Sequence, residues 1–269
     1  MNIPKNILNL YEKNASLLET MNFSRNYDNP LELCNTDAYR KSGLFTETIV
    51  NSMFSETHEL PPLPDENISR NIGMILVRPD MVHVTAKFES YVSDRFELLY
   101  KSNIVMDIDT YWHMYSHDLY RRETMHSRLT RAALYIGSEC CLFVFRDNAD
   151  VSDVKTTDYV HETLRGSQGV YKNGTLRGDI VYHSAIELGL HKLDNNTDPL
   201  VALAVDPFGA YQTLANQQSG PHTGLVYPLL FYTGVGVHVP DSDEINTDLP
   251  QLLATGCTQS MELEPIIYG

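Results

Sequence analysis

The chain has 269 residues, is 42% hydrophobic and carries a formal net charge of −15. That length and apolar content suffice for one large domain or two small ones with a sizeable core. The acidity excludes tight sequence-independent binding to nucleic acid, which needs Lys and Arg to neutralise phosphates, but it leaves room for a local basic site for a small polyanion.

Residues 1–69 read as a mostly helical extension. Ile7, Leu8, Leu10 and Tyr11 fit one helix face, Asn29-Pro30 breaks the chain, and a second helical pattern covers Phe45–Phe54. Leu60-Pro61-Pro62-Leu63-Pro64 is a stiff extended linker before the main domain. The first residues hold no long apolar run and no small-residue cleavage pattern, so a signal peptide is not expected.

From residue 71 the pattern sharpens. Asn71–Arg78 is an apolar run ending at Pro79, a buried strand. Val84, Phe88, Tyr91, Val92 and Arg95 recur at helical spacing, and Leu98–Met106 is strand-like. Asp109 is the expected cap of a helix over Tyr111–Leu119, and Arg121–Tyr135 is a basic helix carrying Arg121, Arg122, Arg128 and Arg131. Glu139–Phe145 is a second buried strand. The stretch from Asp147 to Gly174 is polar with weak helix signals, a helix is expected to begin at His183, and Pro199–Val205 is apolar again. The order predicts an α+β fold, a ferredoxin-like βαββαβ sandwich with an antiparallel sheet and helices on one face. The expected organisation is residues 1–69 as extension and linker, 70–205 as the central domain, and 206–269 as a C-terminal extension of strand and irregular structure. No internal repeat is present. The apolar run Leu225–Val239, interrupted by Pro228, Gly234, Gly236 and His238, is too short to span a bilayer as a helix.

The four cysteines, Cys34, Cys140, Cys141 and Cys257, form no Cys-x-x-Cys pair, so neither the usual zinc nor redox spacing is present and no metal site is expected from the protein itself. Free thiols in an acidic chain suggest a reducing compartment, hence a cytoplasmic location. No P-loop occurs. Arginines cluster instead, with Arg165 and Arg177 in the later loop beside the basic helix, and such a concentration can clamp phosphates. Arg177 lies in Gly174-Thr175-Leu176-Arg177-Gly178-Asp179, where a turn can aim its planar fork of donors, and His183 follows closely. Asp179 reads as a residue that caps this turn.

Two ordered segments, Val77-Arg78-Pro79-Asp80 and Gly174-Thr175-Leu176-Arg177-Gly178-Asp179 followed by Tyr182-His183-Ser184, resemble those of nucleoside diphosphate kinases. The resemblance covers roughly residues 71–205. It implies a ferredoxin-like fold, a homo-oligomer, and ping-pong transfer of a γ-phosphoryl group between nucleotides. By this likeness His183 is the nucleophile, with Ser184 and Asp179 in support. Arg78, Tyr115, Arg165 and Arg177 hold the phosphates, and Mg2+ accompanies the nucleotide. Arg78 stands where the family has lysine. Arg177 and His183 are six positions apart (177 to 183), closer than in the family, and Ile180 stands in place of its asparagine. The residues therefore leave three readings open. One is a phosphotransferase. Another is a nucleotide-binding regulatory or assembly module without transfer. The third is an enzyme of the same fold acting on another phosphorylated substrate.

Overall fold

The computed structural model describes residues 5–6, 9, 67–115, 135–148, 154–166, 172–184, 236–241, 243–256 and 267–268. The expected helix around Arg121–Arg131 and the apolar segment Pro199–Val205 lie outside the described residues, as do Cys34 and Cys257. Among the described residues no helix is long and apolar enough to cross a membrane.

Strand β1 (Ile72–Val77) is buried along its whole length. Its run of apolar residues suits a central strand covered on both faces. Pro79 has no N–H to give a ladder, and the chain turns there into a short 3-10 segment, Pro79–Val84. Helix α1 (Thr85–Ser93) buries Phe88, Tyr91 and Val92, residues three and four apart that share one side of the helix. Strand β2 (Glu97–Val105) follows, then the short helix α2 (Ile108–Met114) and β3 (Glu139–Arg146). The cap of α2 is Asp107, whose Oδ1 accepts from the Thr110 amide at 2.7 Å. Asp109, the expected cap, lies inside the helix. An aspartate two residues earlier reaches the same orphan amides, so two acids so close together make the first turn ambiguous from sequence.

The polar stretch after β3 holds more helix than its composition suggests. Helix α3 (Thr156–Tyr159) continues as a wider turn, Val160–Leu164, in which the Arg165 amide bonds the carbonyl five residues back at 2.7 Å. A second such π turn runs over Arg177–Tyr182 and ends at His183. His183 and Ser184 are helical directly after this turn, so helix is present at His183 as expected, but as the continuation of the π turn and not as a fresh start. Strand β4 (Val237–His238) and helix α4 (Ile245–Gly256) complete the described elements.

The fold is α+β, built on a four-stranded sheet in the order β2-β3-β1-β4 with every pairing antiparallel. Ile72 pairs with Arg146 and Val77 with Cys141 at the two ends of the β1–β3 ladder, and Leu76 faces His238 on β4. Residues beyond 206 thus contribute an edge strand to the same sheet.

Helices cover both faces of this sheet, not one. Ile72, Met74 and Leu76 enter a core with Tyr111, Met114 and Tyr115 of the α2 region and Leu249, Leu252 and Leu253 of α4. Ile75 and Val77 point the opposite way, into a second core with Phe88 and Val92 of α1, Val160, Leu164, Ile180 and Val181. The two-residue period of β1 makes this division. The second layer depends on α4, whose helix lies in the C-terminal stretch expected to be strand and irregular structure. Leu142, Phe143, Val144 and Phe145 of β3 are all fully buried, each contributing about 1.5–3 kcal/mol of transfer free energy.

Candidate functional site

The C-terminal end of β1 gathers an unusual set of buried polar groups. Arg78 is 2% exposed and Asp80 is fully buried. Their nearest charged atoms, Nε and Oδ1, are 3.7 Å apart. This is charge proximity without a hydrogen bond: Arg78 Nε and both carboxyl oxygens of Asp80 have no hydrogen-bond partner. Burial pushes the Asp80 carboxyl above its ordinary range, and the Arg78 guanidinium opposes that shift only in part. Buried polar atoms left in this condition are costly, and such groups are expected where a ligand completes the hydrogen bonding.

Aromatic groups enclose the arginine. Its guanidinium lies 5.4 Å from the centroid of the Tyr135 ring. The Tyr115 hydroxyl donates to the Tyr135 hydroxyl at 3.3 Å. Burial, first of all, holds the Tyr135 hydroxyl well above its usual value, so it stays a donor. Cys140, within electrostatic reach of Arg78 and Asp80, is pushed well up by burial and is an inert thiol.

His238 completes this group. It pairs with Leu76 across the β4–β1 ladder, and the two-residue period places Leu76 and Arg78 on one side of β1. The edge of the His238 ring meets Tyr115, with ring centroids 5.5 Å apart and planes at 67°. Its Nε2 lies 2.6 Å from Oδ2 of the fully buried Asp248 on α4. In the tautomer with its proton on Nε2, that N–H donates to Asp248 Oδ2 and the lone pair is on Nδ1. The backbone reinforces the arrangement. The Arg78 amide donates to the Gly236 carbonyl at 3.1 Å, two residues before His238. Gly236 has φ of +61°, and a Cβ there would stand 2.3 Å from a Val181 methyl. Only glycine suits both demands.

A second cationic group forms around Arg165 and Arg177, whose neighbours Leu164 and Leu176 pack into the core shared with α1. The Arg177 amide donates to the Arg165 carbonyl at 3.1 Å, and Arg177 Nη1 donates to the Gly166 carbonyl at 2.9 Å. Arg177 is 9% exposed. Arg165 is half-buried, and its Nε has no hydrogen-bond partner. Burial lowers its pKa, while Glu244 and Asp241 oppose the shift. His161 is lowered by burial and then by Arg165, with Arg177 adding to the effect. Glu244 connects the two groups electrostatically. Burial raises its carboxyl, His238 opposes, and Asp241 and Asp248 add to the rise.

The Gly174–Asp179 segment is largely turn machinery. Gly174 has φ of +83°, and its amide donates to both carboxylate oxygens of Asp179, at 3.1 and 2.9 Å. Thr175 Oγ1 donates to the Lys172 carbonyl at 2.8 Å and accepts from the Gly178 amide at 3.0 Å. Tyr91 of α1 ties down the same turn, its hydroxyl donating to the Gly174 carbonyl at 2.7 Å. Burial pushes that hydroxyl up to about 12.

The sequence-derived residues therefore divide. Arg78 and Tyr115 meet around Tyr135 on the α2/α4 side. Arg165 and Arg177 meet each other through the backbone. His183 is exposed at the end of the second π turn, after Ile180 and Val181, which pack into the opposite core. Ser184 beside it is buried, and its Oγ has no hydrogen-bond partner. The residue missing from the sequence reading is His238. Locally it is one polar residue in an apolar run. The available signal is long-range: a histidine in a strand pattern, followed ten positions later (238 to 248) by an aspartate on an apolar helix. Among the described residues no group of three or more His, Cys, Asp or Glu could hold a metal ion. Compared with known proteins, the chain matches no family model and no curated sequence.

Proposed function

We propose that this chain binds nucleoside di- and triphosphates and transfers the γ-phosphoryl group through a phosphohistidine, with His238 as the acceptor in preference to His183. The carrying observation is the contact of His238 with Asp248 on the strand next to Arg78, with Tyr115 against the ring. A proton held on Nε2 by Asp248 frees Nδ1 for attack. The Nδ1 lone pair forms the N–P bond as the bond from phosphorus to the β–γ bridging oxygen breaks and the diphosphate leaves. In the second half, a terminal oxygen of an acceptor diphosphate attacks phosphorus, and the N–P bond breaks. Arg78, with Nε unpartnered, offers a fork to phosphate oxygens, and the Tyr135 ring fixes its plane. Arg165 and Arg177 supply further positive charge. Phosphoryl transfer needs this positioning and charge neutralisation more than covalent help from the protein.

The sheet order supports reading the fold as ferredoxin-like. The described residues provide no metal seat of their own, so magnesium would arrive coordinated to the nucleotide, and no step above depends on it. The open edge of β2 in the described sheet is compatible with a homo-oligomer.

A second reading has its own support. Glu244 feels His238, Asp241 and Asp248 together, so carboxylates gather near that histidine, and Arg177 commits one guanidinium nitrogen to a backbone carbonyl. Carboxylates repel an incoming phosphate, which favours a nucleotide-binding module without transfer.

Incubation with γ-labelled ATP separates the readings. Acid-labile, base-stable label is expected on wild type and His183→Ala and absent from His238→Ala. Asp248→Asn should slow labelling at least about 100-fold, because the tautomer is no longer fixed. Label lost only in His183→Ala would return the role to that residue. Calorimetric binding of ATP without any label would establish the second reading, and absence of both would refute the two together.

A further inference from the structure

The segment expected to be a separate helical extension reaches the site. Lys5, Asn6 and Asn9 are helical. Asn6 Nδ2 donates to the Pro79 carbonyl at 3.0 Å and lies 3.3 Å from Nδ1 of His83. A primary amide nitrogen carries two hydrogens, so with His83 in the Nε2–H tautomer one group can serve both acceptors. The acceptors stand at either end of the Pro79–Val84 turn that follows Arg78. Asp80, whose buried carboxyl oxygens have no hydrogen-bond partner, lies between them.

We propose that Asn6 is a positioning residue for the nucleotide site, a latch from the N-terminal segment that holds the turn carrying Arg78 and Asp80. The inference rests on the nucleotide reading above. Arg78 is fixed on one side by its amide bond to Gly236, and the Met81 amide closes the turn on the Arg78 carbonyl at 2.9 Å. A 3-10 turn has poorer hydrogen-bond geometry than an α-helix and gains more from an outside tie. Asparagine is specific for the task. Aspartate has the same shape but presents only acceptors to the Pro79 carbonyl and His83 Nδ1.

Asn6→Asp and Asn6→Ala test the latch in the full chain. Amide hydrogen exchange over Met81–Val84 should accelerate about fivefold, the change expected for one net hydrogen bond lost. ATP affinity, measured by calorimetry, should fall by a similar factor. The rate of His238 labelling at saturating ATP should stay at the wild-type value, which separates positioning of the binding turn from damage to the nucleophile. Lys5→Ala, at an exposed neighbour, should change none of these. Wild-type exchange, wild-type affinity, or a labelling rate that falls at saturation would each overturn the proposal. Should wild type bind no ATP, the functional reading fails and takes the binding role with it. The exchange experiment still decides the latch, which unchanged exchange refutes and faster exchange supports.

Discussion

Gly178→Ala tests whether the Gly174–Asp179 segment is held by its turn geometry. A Cβ at position 178 would lie 2.0 Å from the Lys172 carbonyl oxygen, 2.7 Å from its carbon and 2.9 Å from the Lys172 nitrogen. All three are backbone atoms, so no side chain can swing aside, and the loop must move by about 1.4 Å or more to reach ordinary contact. That movement breaks a closed set of bonds. The Thr175 hydroxyl and amide reach the Lys172 carbonyl at 2.8 and 3.3 Å, and the Gly178 amide reaches Thr175 Oγ1 at 3.0 Å. Each is worth about 0.5–1.5 kcal/mol net, so losing two or three costs about 1–4.5 kcal/mol, with the backbone overlap in addition. Gly174→Ala is the control. Its φ of +83° strains any other residue, but nothing lies within 4 Å of a Cβ there, so the cost is only about 1–2 kcal/mol. Urea denaturation followed by circular dichroism measures both. A Gly178→Ala protein within about 0.5 kcal/mol of wild type, or less affected than Gly174→Ala, would refute the reasoning, since overlap with a fixed backbone cannot be that cheap.

Three further outcomes are expected. Phe143→Ala, at the centre of β3 and fully buried, should cost about 3–5 kcal/mol in the same denaturation experiment, whereas Val105→Thr at a 60% exposed position should stay within about 0.5 kcal/mol. Glu244 has a carboxyl raised above 4.5, so between the unfolded and folded values the native state holds more protons and stability falls as pH rises. Glu244→Gln keeps an acceptor for the Asp241 amide and removes that loss, so its melting temperature relative to wild type should be higher at pH 7 than at pH 4; an offset independent of pH would contradict it. Cys141 is fully buried, and burial raises its thiol to about 11, so iodoacetamide at pH 8 should leave Cys140 and Cys141 unmodified by peptide mass spectrometry until denaturant is added.

Local chemistry made much of the sheet legible. An apolar run that stops at Pro79 can hardly be anything but a buried strand, and α1 declares itself through Phe88, Tyr91 and Val92. The second helical layer was not legible in the same way. Pro250 interrupts the pattern of α4, and a helix so far along the chain gives no local sign of which sheet face it covers. The helical turns in 156–184 were hidden because π turns do not keep the 3.6-residue period on which periodicity rests.

The site divides along the same line. Arg78 is identifiable as a strand-end arginine, and Gly174–Asp179 as a turn that orients its neighbours, because both depend on residues adjacent in the chain. His238 is different. Its partners Asp248 and Tyr115 come from α4 and the end of α2, and only the antiparallel pairing of β4 with β1 sets them near the end of β1. The sequence by itself determined the strands, the turn chemistry and the presence of clustered arginines. That His238 stands against Asp248 and Tyr115 was decided by tertiary structure, because strand register and helix packing are set by contacts between residues remote in the chain.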